Sequence, residues 1–255
     1  MSNTNKYYTQ QPPPYEEEAR QPLFGDHDDD NSDLYKETLN ECSVEVRLQF
    51  VRKVYSILTV QLLATIIMGS IYMFNDSIKT WVQSSQWLLI VSAIGTLVVV
   101  FALMFYSRRT PLNYGLLTVF TLLEGHLVGT IVTFYDKMIV LQALIITFGV
   151  VFGLTLFTLQ SKWDFTGMMP FLFGGLSILF IASLVQIFIP FSETIQLALA
   201  VGGVIIFSGY LIVDTYLIFN RYSAEEYIMA SLSLYLDIIN IFIRVLQILN
   251  AMERN

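Results

Sequence analysis

After about 50 mostly polar residues the chain changes character, and seven long apolar runs follow at roughly 54–74, 87–105, 112–134, 138–160, 168–189, 195–219 and 227–250. A helix rises 1.5 Å per residue, so about 20 apolar residues cross the ~30 Å hydrocarbon layer of a bilayer, and every run is near that length. The pattern predicts an all-α polytopic membrane protein, a bundle of seven helices. The turns between runs are too short for a second folded unit, which leaves a tail over 1–45 and a transmembrane domain over 46–255. Pro111 and Pro190 fall at run boundaries and Pro170 at the opening of the fifth run, where a missing N–H costs little. Four-residue spacings of glycine, Gly125 with Gly129 and Gly149 with Gly153, predict faces where helices approach closely. Gly174, Gly175, Gly202, Gly203 and Gly209 add small residues to the later runs.

Composition agrees: 55% of the 255 residues are apolar and 14% charged, where soluble domains carry roughly a quarter charged. The first apolar run comes too late for a cleaved leader near the start and reads as a signal anchor. Cys42 is the single cysteine, so no disulfide framework or thiolate metal cluster can form. The net charge of −7 belongs to the tail: residues 1–45 balance to −8 and the remainder to +1. Such acidity argues against a nucleic-acid partner, because nothing would neutralise phosphates. Arg47, Arg52, Lys53, Arg108, Arg109, Lys162 and Arg221 fall on the side of the N-terminus, against Lys79, Lys137 and Arg254 opposite. The positive-inside rule therefore puts the N-terminus in the cytosol, with the Arg108–Arg109 pair as a topology anchor near lipid headgroups. The last run carries Asp237 and Arg244; it either crosses or is a shorter re-entrant element buried in the bundle.

The tail is rich in proline and charge and poor in large aliphatic residues, a composition that predicts disorder. Within it Pro12, Pro13, Pro14 and Tyr15 form PPPY, a short polyproline segment of the kind that docks in WW-domain grooves. It would suit recruitment of a WW-domain ubiquitin ligase, with Lys6 and Lys36 as acceptors; the alternative is a chance tetrapeptide.

The strongest chemical signal is a pair of carboxylates at membrane depth. Asp214 and Asp237 lie in consecutive runs whose connecting turn, 220–226, contains the midpoint between them, so antiparallel helices bring both to about one depth. Intramembrane carboxylates are costly and need a reason. Two within hydrogen-bonding reach tend to share one proton, and their oxygens are hard ligands suited to calcium. They can thus act as a pH-sensitive latch; the alternative is that each separately bonds to Ser208, Tyr210 or Asn240. Glu124 and His126 in the third run are two residues apart, hence about 200° around a helix, which argues against a shared metal site. Glu124 either lines a polar path or joins helices, and His126 reads as bonded to a neighbouring helix. Arg244 lies seven residues beyond Asp237 on the same face, placed to pair with an acid such as Glu124 or to snorkel to the far interface.

RKVYSILTVQLLAT (52–65), RRTPLNYGLLTVFTLLEGHLVG (108–129), SGYLIVDTYLIF (208–219) and EEYIMASLSLYLDIINIFIRVLQIL (225–249) together resemble the transmembrane Bax-inhibitor-motif family, and its Lifeguard branch in particular, over residues 45–252. The resemblance implies six helices around a central seventh and a pH-dependent calcium leak across an intracellular membrane of the endoplasmic reticulum, Golgi or vacuole. It implies that Asp214 and Asp237 form the latch, and it links the chain to calcium homeostasis and suppression of stress-induced cell death through cell-death regulators. The family's arginine of the second helix has no counterpart between Trp87 and Tyr106. No cofactor is expected beyond calcium and protons as permeant or weakly bound ions, and no enzymatic activity: VDTY and YLDI lack the GxGD pattern of intramembrane aspartyl proteases. The alternative function is a non-conducting scaffold that recruits partners through its tail.

Overall fold

The computed structural model describes residues 44–254, so PPPY, Lys6, Lys36 and Cys42 lie outside the described residues. The described chain is helical: α1 (Val44–Phe74), α2 (Asp76–Ser84), α3 (Gln86–Tyr106), α4 (Leu112–Val132), α5 (Lys137–Gln160), a 3-10 turn (Phe165–Met168), α6 (Met169–Phe188), α7 (Glu193–Asn220) and α8 (Tyr227–Glu253). Seven of these, all but α2 and counting the 3-10 turn with α6, are long and apolar enough to cross a membrane. The protein is an all-α integral membrane protein.

Two elements differ from the run boundaries. Helix α1 begins ten residues before its apolar run, because Phe50 and Val54, one turn apart, bury against the bundle while Arg47 and Lys53 lie over the rings of Phe219 and Tyr227 at 5.9 and 3.3 Å. Helix α2, nine residues long, is too short to cross. It starts from an Asn75 side chain that accepts the Ile78 N–H, buries Val82, and ties to the end of α4 through Gln83, which donates to the Thr133 carbonyl at 3.0 Å. Asn75 is thus an ordinary helix N-cap.

Burial is uneven. Over their most apolar windows, 56% of α8 and 50% of α4 are buried, against 17% of α3 and 11% of the span ending at Phe188. Helix α8 packs on α7, α1, α5 and α4, whereas α3 lies mainly on α4 and α6 on α7. Phe101, Phe148, Phe171 and Phe188 stand exposed on the outer face, as suits a surface solvated by lipid tails. Because lipid is as apolar as leucine, association inside the membrane depends on close fit and hydrogen bonds. Gly125 and Gly129 of α4 meet this need: a Cβ at Gly129 would lie 3.0 Å from the Tyr72 ring and 3.5 Å from the Gly69 Cα of α1. Gly149 and Gly153 do not, since a Cβ at either has nothing within 4 Å; the expected close approach on α5 is absent because that face points away from its neighbours.

On the side where α1 begins, cytosolic by the charge bias, two loops are pinned to the α7–α8 turn. Arg108 pairs with Glu226 at 3.2 Å and Arg221 with Asp164 at 3.3 Å. Asp164 also accepts the Thr166 hydroxyl and N–H at 2.6 and 2.9 Å. These bonds, and then Arg221, hold its carboxyl below the usual range. At the other end, α8 finishes beside Tyr135, Gln186 and Glu193, residues at the α4–α5 turn, the end of α6 and the start of α7. The last helix therefore runs the full depth of the bundle and does not turn back, which decides the open question of a crossing or a re-entrant last segment.

Candidate functional site

Asp214 sits six residues before the end of α7 and Asp237 ten residues into α8, roughly 9 and 15 Å from the cytosolic helix ends at 1.5 Å per residue. Both are buried, and their carboxyl groups lie close enough to act on each other. Ser233, one turn before Asp237, lies near Asp214, and the Tyr222 hydroxyl in the α7–α8 turn lies near Ser233. Oδ2 of Asp237 is buried without a hydrogen-bond partner among the described residues. The pair therefore lies in the cytosolic half, with the hydroxyls of Ser233 and Tyr222 between it and the turn held by Arg108–Glu226. Of the alternative partners, Asn240 donates to its own helix at the Leu236 carbonyl, and Tyr210 stands close enough to both aspartates to feel their charge.

A second polar group occupies the other side of α8. Tyr235 precedes Asp237 by two positions and points about 200° away. It lies within electrostatic reach of Glu124, edge-on to Phe120, with its hydroxyl 2.7 Å from that of Thr65. Thr65 gives its proton to the Gln61 carbonyl, so Tyr235 is the donor to Thr65. Gln61 in turn donates to Thr121 on α4 at 3.1 Å. His126 is bonded to a neighbouring helix as expected, its Nδ1 3.0 Å from the Tyr72 hydroxyl.

The structure thus joins Asp214 to Asp237 and sets Glu124 apart from them, behind the body of α8. Arg244 meets neither group. Its Nη1 donates to Gln247 at 3.1 Å near the non-cytosolic end, and its stem presses on Gly203, where a Cβ would come within 2.9 Å of Cγ, Cδ and Nε. Sequence reasoning did not find Ser233, Tyr222, Thr65 or Tyr235; hydroxyl side chains are ordinary in transmembrane helices, and only the packing shows which of them converge. Among the described residues no group of three or more His, Cys, Asp or Glu side chains is placed to hold a metal ion.

Comparison with known proteins fits this arrangement. The family described as inhibitor of apoptosis-promoting Bax1 matches residues 47–254, which include every helix that carries the groups above. Bax inhibitor 1 of Schizosaccharomyces pombe is 45% identical over 225 residues, covering 88% of this chain and 85% of its own. Protein lifeguard 4 of Mus musculus is 44% identical over 220 residues, 86% of this chain and 92% of its own. The Golgi anti-apoptotic protein of Vaccinia virus is 39% identical over the same shares. With that match spanning the whole bundle and identities of this size along it, the chain belongs to the Bax-inhibitor family, in its Lifeguard branch.

Proposed function

We propose that the protein is a proton-controlled calcium leak of an intracellular membrane, in the endoplasmic reticulum, Golgi or a vacuole, that contributes to calcium homeostasis and to suppression of stress-induced cell death. The observation that carries this reading is the meeting of Asp214 and Asp237 between α7 and α8. With one proton shared, the two carboxyls attract and hold the helices together. Without it, like charges at contact distance in a poorly screened interior repel strongly, the α7–α8 contact loosens, and carboxylate oxygens become available to a cation. Two carboxylates supply only part of the six to eight oxygens that calcium takes, which suits an ion in transit. The hydroxyls of Ser233 and Tyr222 give protons a route from the cytosolic turn.

In this reading α8 is the hub of the bundle, packed on α7, α1, α5 and α4, and its high burial supports that role. Glu124 lines a separate polar face of the same hub. The names of the relatives, Bax inhibitor and Golgi anti-apoptotic protein, support the cell-death and intracellular-membrane parts.

Calcium flux through purified protein in liposomes across pH 5–8 tests the reading. Wild type is expected to conduct more as pH rises; D214N and D237N are expected to lose that response, and E124Q to keep it. An unaltered pH response in both aspartate variants rejects the latch. The scaffold reading rests on PPPY, which would recruit a WW-domain ubiquitin ligase; removal of residues 1–45 would then abolish cellular activity while flux in liposomes stays the same.

A further inference from the structure

Beyond the aspartate pair, the non-cytosolic end of the bundle contains a cavity of about 250 Å³ lined by Arg244, Arg254, Tyr135, Gln186, Gln247 and Asn250. We propose that this cavity is a binding site for a phosphate oxyanion.

Arg244 is positioned for that ligand. Its stem is seated against Gly203, the one residue type that leaves room for it, and Gln247 accepts from one end of its guanidinium, so the fork is held in orientation. Its Nε is buried against Gly203, so contact with the cavity falls to the rest of the guanidinium. A guanidinium stays charged at any physiological pH, and its planar donors match the spacing of two phosphate oxygens. The second guanidinium, on the exposed Arg254 at the mouth, lies close enough to Tyr135 to act on it electrostatically. The amide groups of Gln186 and Asn250 and the Tyr135 hydroxyl add donors for the remaining oxygens.

Glu193 lines the same cavity and sets the charge of the ligand. Two guanidinium groups against one carboxylate leave a net positive charge, complementary to a phosphodiester or a singly charged phosphate and opposed to a free cation. Asp237 lies seven residues deeper, roughly 10 Å along the helix, too far to serve as the counter-ion. The ligand chemistry is thus a phosphate group at the membrane surface, either free in solution or carried as a lipid headgroup.

Thermal unfolding of the purified full-length protein in a non-ionic detergent distinguishes these sources. Sodium phosphate is compared with sodium chloride at matched ionic strength, and water-soluble dihexanoyl phosphatidylglycerol with a neutral detergent of the same chain length. The expected result is a saturable rise in the unfolding midpoint with one or both phosphates. Apparent affinity should then fall by at least about tenfold in Arg244→Gln and in Arg254→Gln, and stay unchanged in Arg108→Gln on the opposite face. A rise with phosphate identifies a free anion, and a rise with the lipid alone identifies a headgroup. Arg254 is exposed at the helix end, so its variant reads the site even if Arg244→Gln fails to fold. No rise with either ligand, or a rise that survives in Arg254→Gln, overturns the proposal.

Discussion

Tyr235 and Asp237 stand two positions apart on the last helix, and that offset places one polar system against α7 and the other against α1 and α4. Each can be perturbed alone. Tyr235→Phe removes the donor to Thr65 and is expected to lower stability by about 0.5–1.5 kcal/mol, toward the lower end because membrane hydrogen bonds average roughly 0.6 kcal/mol. Denaturant titration in micelles measures this, and the pH response of calcium flux should be unaltered. The aspartates were legible in the sequence because a carboxylate in an apolar run stands out against its neighbours. Their setting was not: Ser233 is one hydroxyl among several on α8, and only its position one turn from Asp237, facing α7, makes it a partner of Asp214. Arg244 was likewise visible as a charge, while its seat on Gly203 depended on the α7–α8 register.

Elements add a different kind of evidence, since glycines of equal standing in the sequence have unequal surroundings. A Cβ at Gly209 would strike the Leu172 side chain of α6, whereas one at Gly149 meets open space. Gly209→Ala is therefore expected to destabilise by about 1–3 kcal/mol through overpacking, and Gly149→Ala to be neutral or stabilising by up to about 1 kcal/mol through helix propensity. The same titration tells them apart. Run lengths in the sequence located all seven spans because the bilayer demands a nearly fixed apolar length. They did not show α2 or the early start of α1, whose half-buried, half-charged turns give a weak signal. The loop at Asp164 responds to acid in a definite direction. Its carboxyl is held below the usual range by Thr166 and then Arg221, so its stabilising bonds are complete above the ordinary carboxylate range and are lost as pH falls through the depressed value. The protection of the Thr166 amide, its exchange rate compared with the intrinsic rate at the same pH, should fall on acidification, and Asp164→Asn should remove that step.

For the molecule as a whole, seven crossings put the two ends of the described chain on opposite sides. A glycosylation acceptor fused after Asn255 is expected to be modified in microsomes and one fused before Met1 to remain unmodified; the converse pattern would refute the orientation. The positive residues indicated this arrangement only in part, because the charges inside the last run obscured whether it crosses, and packing against α7, α1, α5 and α4 resolves that. The high burial of α8 also bears on how the chain is made. Among the described helices the most buried one is made after the other six spans, and it carries an aspartate and an arginine into the membrane. Its neighbours must wait with their polar faces, Thr65, Thr121, Glu124 and Asp214, turned toward lipid, water or the insertion machinery until it arrives. Assembly of the seven spans thus leaves its most demanding step to the seventh, and a chain that loses α8 leaves unfinished polar surfaces for quality control to find.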